Sequence, residues 1–206
     1  MKIQLCALAS GLALAFTGSA FAAGTTTGTV TQNGTNNDAT ITQMYNTNAN
    51  ALIDQLGRDH VAKVTQQNTS FNSSAKVYQR GFNNYATATQ TNTTGATSEI
   101  VQHDSKNVAS TTQKNGVDQN AKIYQAGYNN YADISQSNNW GADADIVQKG
   151  WLNVAKTSQT MGFDQSADTY QSGLKNYASI TQTGSFLNAS ASQQGAFNTA
   201  TITQKN

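Results

Sequence analysis

Proline is absent from all 206 residues, where a chain of average composition carries roughly ten. No strand is therefore interrupted by a missing N–H, and no turn is set by a fixed φ. Cysteine occurs once, as Cys6 inside an apolar N-terminal segment, so disulfides do not hold the fold together. Charge is scarce and balanced, with 12 basic and 11 acidic residues. Without Lys2 the two signs are equal, which argues against nucleic acid as a partner and against polybasic membrane binding. Long apolar runs are also missing apart from Ile3 to Phe16, which follows Lys2 and precedes the small-residue sequence Ala20-Phe21-Ala22. That arrangement predicts a secretory signal over residues 1–22 rather than a membrane anchor. A short leader, 23–27, follows it.

What remains is rich in Asn, Gln, Thr and Ser, a composition that suggests disorder unless it is organised. It is organised, because glutamine recurs throughout residues 28–206. A first series is Gln32, Gln55, Gln79, Gln102, Gln125, Gln148, Gln171 and Gln193; a second is Gln43, Gln66, Gln90, Gln113, Gln136, Gln159, Gln182 and Gln204. Two glutamines make a unit of 22–24 residues, and there are eight units. Ala stands four residues before a glutamine in fourteen of sixteen cases, and Ile or Val two before it in eleven. Gly stands two residues after the first glutamine at Gly34, Gly57, Gly81, Gly127, Gly150, Gly173 and Gly195, with Asp104 the exception. Asn stands six before the second glutamine at Asn37, Asn84, Asn107, Asn130, Asn153, Asn176 and Asn198, with His60 the exception.

Asn, Ala, Ile and Gln fall at even offsets, the period of a strand, so they share one face. Gly and Asn between them supply turns. Each unit then reads strand, tight arc, strand, wider arc. One unit cannot bury its face alone but a stack of them can, so the prediction is an all-β fold, a two-sheet β-solenoid over 28–206. Interior amides cost several kcal/mol each if unpaired. In a stack of strands about 4.7 Å apart, like residues lie above one another and bond as ladders. The last unit is as regular as the inner ones, whereas soluble solenoids carry atypical end units. Open edges that accept another copy are the expectation.

The unit resembles the curlin repeat of bacterial curli, whose core is Q-x-G-x-x-N-x-A-x-x-x-Q. The best matches run Gln79-Arg80-Gly81-Phe82-Asn83-Asn84-Tyr85-Ala86 to Gln90, Gln125-Ala126-Gly127-Tyr128-Asn129-Asn130-Tyr131-Ala132 to Gln136, and Gln148-Lys149-Gly150 through Asn153 and Ala155 to Gln159. The resemblance implies an extracellular functional amyloid of the biofilm matrix on the bacterial surface. The partners it implies are the protein itself, a related nucleator or major subunit, and an outer-membrane secretion channel. A-x-I-x-Q in both strands is nearer the minor, nucleating type, whereas a long regular rod suits the major subunit, which is the reading preferred.

Odd offsets face outward and are ordered too. Thr42, Thr65, Thr89, Thr112, Ser135, Ser158, Thr181 and Thr203 make a hydroxyl column. Lys76, Glu99, Lys122 and Asp145 alternate in sign until Asp168 breaks the pattern, a misfit expected to slow assembly. His60 and His103 are the only histidines and have no carboxylate cluster beside them, so no metal or other cofactor is expected. Ser and Thr lack a paired base, and the chain is not read as an enzyme. Two other readings stay open. The T-x-T rungs Thr40/Thr42, Thr87/Thr89 and Thr201/Thr203 would suit a monomeric ice-binding solenoid, and the arc residues Phe82, Trp140 and Trp151 a surface adhesin.

Overall fold

A computed structural model describes the backbone of residues 2–8, 14–17 and 25–206, and the side chains of 25–206. The expected signal cleavage site lies outside the described residues. Every element is a strand. One sheet contains, in order, β1 (Lys2–Leu8), β3 (Thr27–Thr35), β5 (Asn50–Arg58), β7 (Ser74–Phe82), β9 (Thr97–Ser105), β11 (Asn120–Tyr128), β13 (Asp143–Trp151), β15 (Ser166–Leu174) and β17 (Asn188–Ala196). The other contains β2 (Leu14–Thr17), β4 (Asp38–Met44), β6 (Val61–Gln67), β8 (Tyr85–Thr91), β10 (Val108–Lys114), β12 (Tyr131–Trp140), β14 (Val154–Phe163), β16 (Tyr177–Thr183) and β18 (Thr199–Lys205). All neighbours are parallel, and the chain alternates between the sheets. From β3 to β18 it therefore makes eight turns of a two-sheet β-solenoid.

The register follows from the repeat. Gln32 pairs with Gln55, Gln55 with Gln79, and so on to Gln193 in the first sheet. Gln43 leads the same way to Gln204 in the second. A slip of one residue would turn every Ala and Ile outward, so burial fixes the pairing. Ile53, Ile100, Ile123, Ile134, Ile146 and Ile180 are fully buried between the sheets, among buried alanines of the same core. Each such Ile contributes about 2 kcal/mol by leaving water.

Two-residue corners join the strands within a turn, as at Asn36-Asn37 and Leu152-Asn153. The first corner residue is always left-handed, whether Asn83 (φ 55), Lys106 (φ 57), Leu152 (φ 59) or Phe197 (φ 59). Asn suits that conformation and Leu or Phe does not, so the stack imposes it on the bulky residues. Two residues earlier the glycines run at φ 97 to 134. A Cβ on Gly34, Gly57, Gly127, Gly150 or Gly173 would collide with the carbonyl oxygen of the glycine one turn further on. Gly81 meets the Asp104 carbonyl in the same way. Glycine is required there by both conformation and space.

The apolar core has one interruption. It runs without a break from Val30 to Ala155 and begins again as a smaller cluster around Ala167, Ala178 and Ile180. Between the two, Thr157 and Thr169 occupy inward positions where other turns place Ile or Val, and their buried hydroxyls have no partner. In the fourth turn a similar substitution is resolved internally, because Ser98 and Thr111 face each other across the core with hydroxyls 2.5 Å apart.

Candidate functional site

The feature with chemical consequence is the set of amide columns lining the interior. In the first sheet each glutamine Nε2 donates to the Oε1 of the next: Gln32 to Gln55 at 2.7 Å, then Gln79, Gln102, Gln125, Gln148, Gln171 and Gln193 at 2.8–2.9 Å. In the second sheet Gln43 donates to Gln66 at 2.7 Å, and the series runs through Gln90, Gln113, Gln136, Gln159 and Gln182 to Gln204 at 2.8–3.0 Å. The inner members of both columns are fully buried.

A carboxamide has two N–H groups, and the second has a definite destination that the repeat alone did not reveal. It crosses the core to a backbone carbonyl at the start of a strand in the opposite sheet. Gln125 donates to Val108 O at 3.0 Å, Gln148 to Tyr131 O at 2.9 Å, and Gln159 to Asp143 O at 2.9 Å. Each inner glutamine thereby ties one turn to the next along the stack and one sheet to the other across it. The carbonyl also fixes which end of each amide is nitrogen, since a reversed amide would set oxygen against oxygen.

The asparagine column works differently. Asn130 Oδ1 accepts from the backbone N–H of Asn153 at 3.1 Å, and Asn130 Nδ2 donates to Gly150 O at 2.8 Å. Asn84, Asn107, Asn153 and Asn176 repeat this clamp on the corner. Asn37 makes the whole clamp, with His60 N–H and Gly57 O as its partners, and at the other end Asn198 keeps only part of it. His60 replaces one asparagine without breaking the column. Its Nδ1 accepts from Asn84 N–H at 3.3 Å, and its Nε2 lies 3.3 Å from Leu56 O. Those partners require the neutral tautomer protonated at Nε2. Burial lowers its pKa below the usual 6.5, against the opposing pull of the Leu56 and Gly81 carbonyls and of Asp59.

Wide arcs carry a second inward amide that the sequence reading did not single out. Asn46 and Asn139 clamp their arcs by donating to the carbonyls of Gln66 and Gln159 at 3.0 and 2.8 Å. Where that position is Gly116 or Gly162, the space is filled by Gln119 or Gln165 three residues later. Where it is Asn, the later residue is Ala49 or Ala142. The pairing of small with large was detectable only by comparing positions three apart.

On the outer face, Lys76, Glu99, Lys122, Asp145 and Asp168 do lie in register. Yet Arg58–Asp59, at 3.4 Å, is the one ion pair among the described residues. Burial, and then Asp168, keeps the Asp145 carboxyl above the usual carboxylate range; Lys122 opposes this and Asp143 adds to it. Asp168 is raised in the same direction by burial and by Asp143.

The model of the curlin associated repeat matches residues 26–67, 72–103 and 175–205, about half of the chain. The chain belongs to the curlin family. Between the matched segments this curlin keeps the same columns in the same register, from Gln102 and Asn107 through Gln159. No curated protein matches it. Curlins are structural subunits rather than enzymes.

Proposed function

We propose that this curlin is the major structural subunit of an extracellular amyloid fibre of the curli type, which serves the biofilm matrix and surface adhesion. Copies add end to end, so that the solenoid continues from one to the next. The observation that carries this reading is the direction of the glutamine columns. Every Gln–Gln bond runs the same way, with N–H toward the later turn. Gln193 and Gln204 therefore present amide hydrogens along the stack axis, and once cleavage of the signal segment 1–22 takes β1 and β2 off β3 and β4, Gln32 and Gln43 present oxygens. One end matches the other in chemistry and spacing, and a like-to-like contact would set donor against donor. Gly195 fits the same picture: a Cβ there meets only Asn198 Nδ2, at 3.8 Å, and the place of a next carbonyl is open. Stacking of this kind is heterologous and does not close, which is the condition for a filament.

A related nucleating subunit and an outer-membrane channel belong to the same reading. The test is incubation of the purified protein at micromolar concentration, followed by dye binding, seeding and fibre diffraction. Seeded growth with a meridional reflection near 4.7 Å is expected. A stable soluble monomer without that reflection overturns the proposal, and thermal hysteresis in that monomer would favour an ice-binding solenoid.

A further inference from the structure

Stacking accounts for the interior and for most of the outer face, but one edge has another character. The wide arcs, with the ends of β12 and β14 that run into them, carry two columns side by side. One consists of Ser70, Thr94, Val117, Trp140 and Phe163, each paired in parallel with the next. The other consists of Asn68, Asn92, Asn115 and Asn138, whose exposed carboxamides bond in sequence at 2.9, 3.0 and 3.2 Å. Met161 follows Asn138 in that column and ends the amide series. Between the columns runs an open groove of about 500 Å³, lined by Asn92, Asn115, Asn138, Trp140, Met161 and Phe163 among others, with no ionisable side chain in its wall.

Trp140 is 56% exposed and Phe163 53%, with ring centroids 5.9 Å apart and planes inclined by 31°. The two residues are neighbours in register along the stack, and both rings stay more than half exposed, an aromatic strip two turns long. Other aromatics are as exposed, but this pair borders the groove, and an adjoining exposed aromatic pair there is a candidate binding surface. Neither ring is needed for the columns in the core.

We propose that this groove binds an uncharged polysaccharide lying along the stack axis. A pyranose ring is apolar on its C–H faces and polar at its rim, and the groove offers the complement of both. The faces of Trp140 and Phe163 take the C–H surface. The row of carboxamides, each with donors and an acceptor, takes the hydroxyls. The row and the strip both advance by one turn per step, so the groove suits a polymer with repeating hydroxyls rather than a single small molecule. An acidic glycan or a nucleic acid finds no cation in the wall to meet its charge. A second copy packed flat on the rings would cover the amide row without satisfying it. The groove lies within one chain, so the site does not depend on fibre assembly.

Trp140 and Trp151 are the only tryptophans, so in a Trp151→Phe background the emission reports on Trp140 alone. Titration of that protein with cellohexaose should shift the emission saturably, and an acidic uronate hexamer should not. By calorimetry, Trp140→Ala and Phe163→Ala, each with an unchanged far-ultraviolet spectrum, should bind the neutral oligosaccharide about tenfold more weakly. No saturable shift at millimolar sugar, undiminished binding by both variants, or equal binding of the acidic oligomer overturns the proposal. Loss of lateral bundling in Trp140→Ala without any response to sugar also overturns it, and assigns the strip to contact between copies.

Discussion

The tight and wide arcs solve the same problem, returning the chain from one sheet to the other, with different tolerance. In a tight arc each part repeats alone: a glycine beneath the next carbonyl, a left-handed corner, an asparagine clamp. In a wide arc the parts trade against each other, Asn with Ala or Gly with Gln, and arcs of different lengths coexist. The tight-arc glycines pack on backbone, which cannot relax, whereas Gly116 in a wide arc packs on the Gln119 side chain, which can; Gly162, set against the Gly184 carbonyl, is the wide-arc exception. That difference predicts where substitution is tolerated.

The largest expected effect is from Gly127→Ala, because the new Cβ points at the Gly150 carbonyl and the φ of 117 is closed to alanine. A loss of roughly 3–5 kcal/mol is expected in denaturant titrations of the unassembled protein; a loss near zero would break the distinction between the arcs. Next comes the pair of clamps. Asn130→Ala strands a buried N–H and a carbonyl in a tight arc and should cost about 2–3 kcal/mol. Asn139→Ala, in a wide arc with fewer bonds, should cost less. Smaller again is Gly116→Ala, where the added methyl meets only the Gln119 side chain. About 1–2 kcal/mol is expected. Combining it with Gln119→Ala should recover most of the loss, and a simple sum of the two single effects would refute the exchange of volumes.

The smallest effect at neutral pH is that of His60→Asn, which restores the residue found elsewhere in the column. The folded protein lowers the pKa of His60 below 6.5, so the unfolded chain takes up the proton first. The stability that the neutral ring contributes is complete above 6.5 and declines as pH falls through that value toward the lowered one. Asp145 and Asp168 act in the opposite sense. Their raised values favour the fold at acid pH, and that contribution is lost as pH rises through them. The difference between wild type and His60→Asn isolates the histidine. It should be near zero at pH 8 and grow in the variant's favour by pH 5, as read from unfolding midpoints.

The strands and tight arcs were legible in the sequence because each of their requirements falls on one residue type at one offset. Ala86 and Gln90 disclose their orientation by position alone. The second N–H of each glutamine was not legible, because its acceptor is a backbone carbonyl carried by residues as different as Val108, Tyr131 and Asp143. Left-handed corners at Leu152, Lys175 and Phe197 were hidden for a related reason: the geometry is imposed by the neighbouring turns and not by local propensity. Wide-arc complementarity escaped because no single column in it is constant. For the charge column, order was readable and distance was not. Lys122 and Asp145 are neighbours in register without closing to an ion pair.

The shared direction of the glutamine bonds has an electrical consequence. Each carboxamide is a dipole, and both columns place the positive end toward the later turns. Strand backbones contribute little net dipole, so the side chains give the rod a permanent axis, negative at Gln32 and Gln43 and positive at Gln193 and Gln204. A filament that repeats such rods in one sense adds these axes in series. Two filaments side by side then have their lowest electrostatic energy when they run in opposite senses, and a dilute suspension of them should align in an applied field.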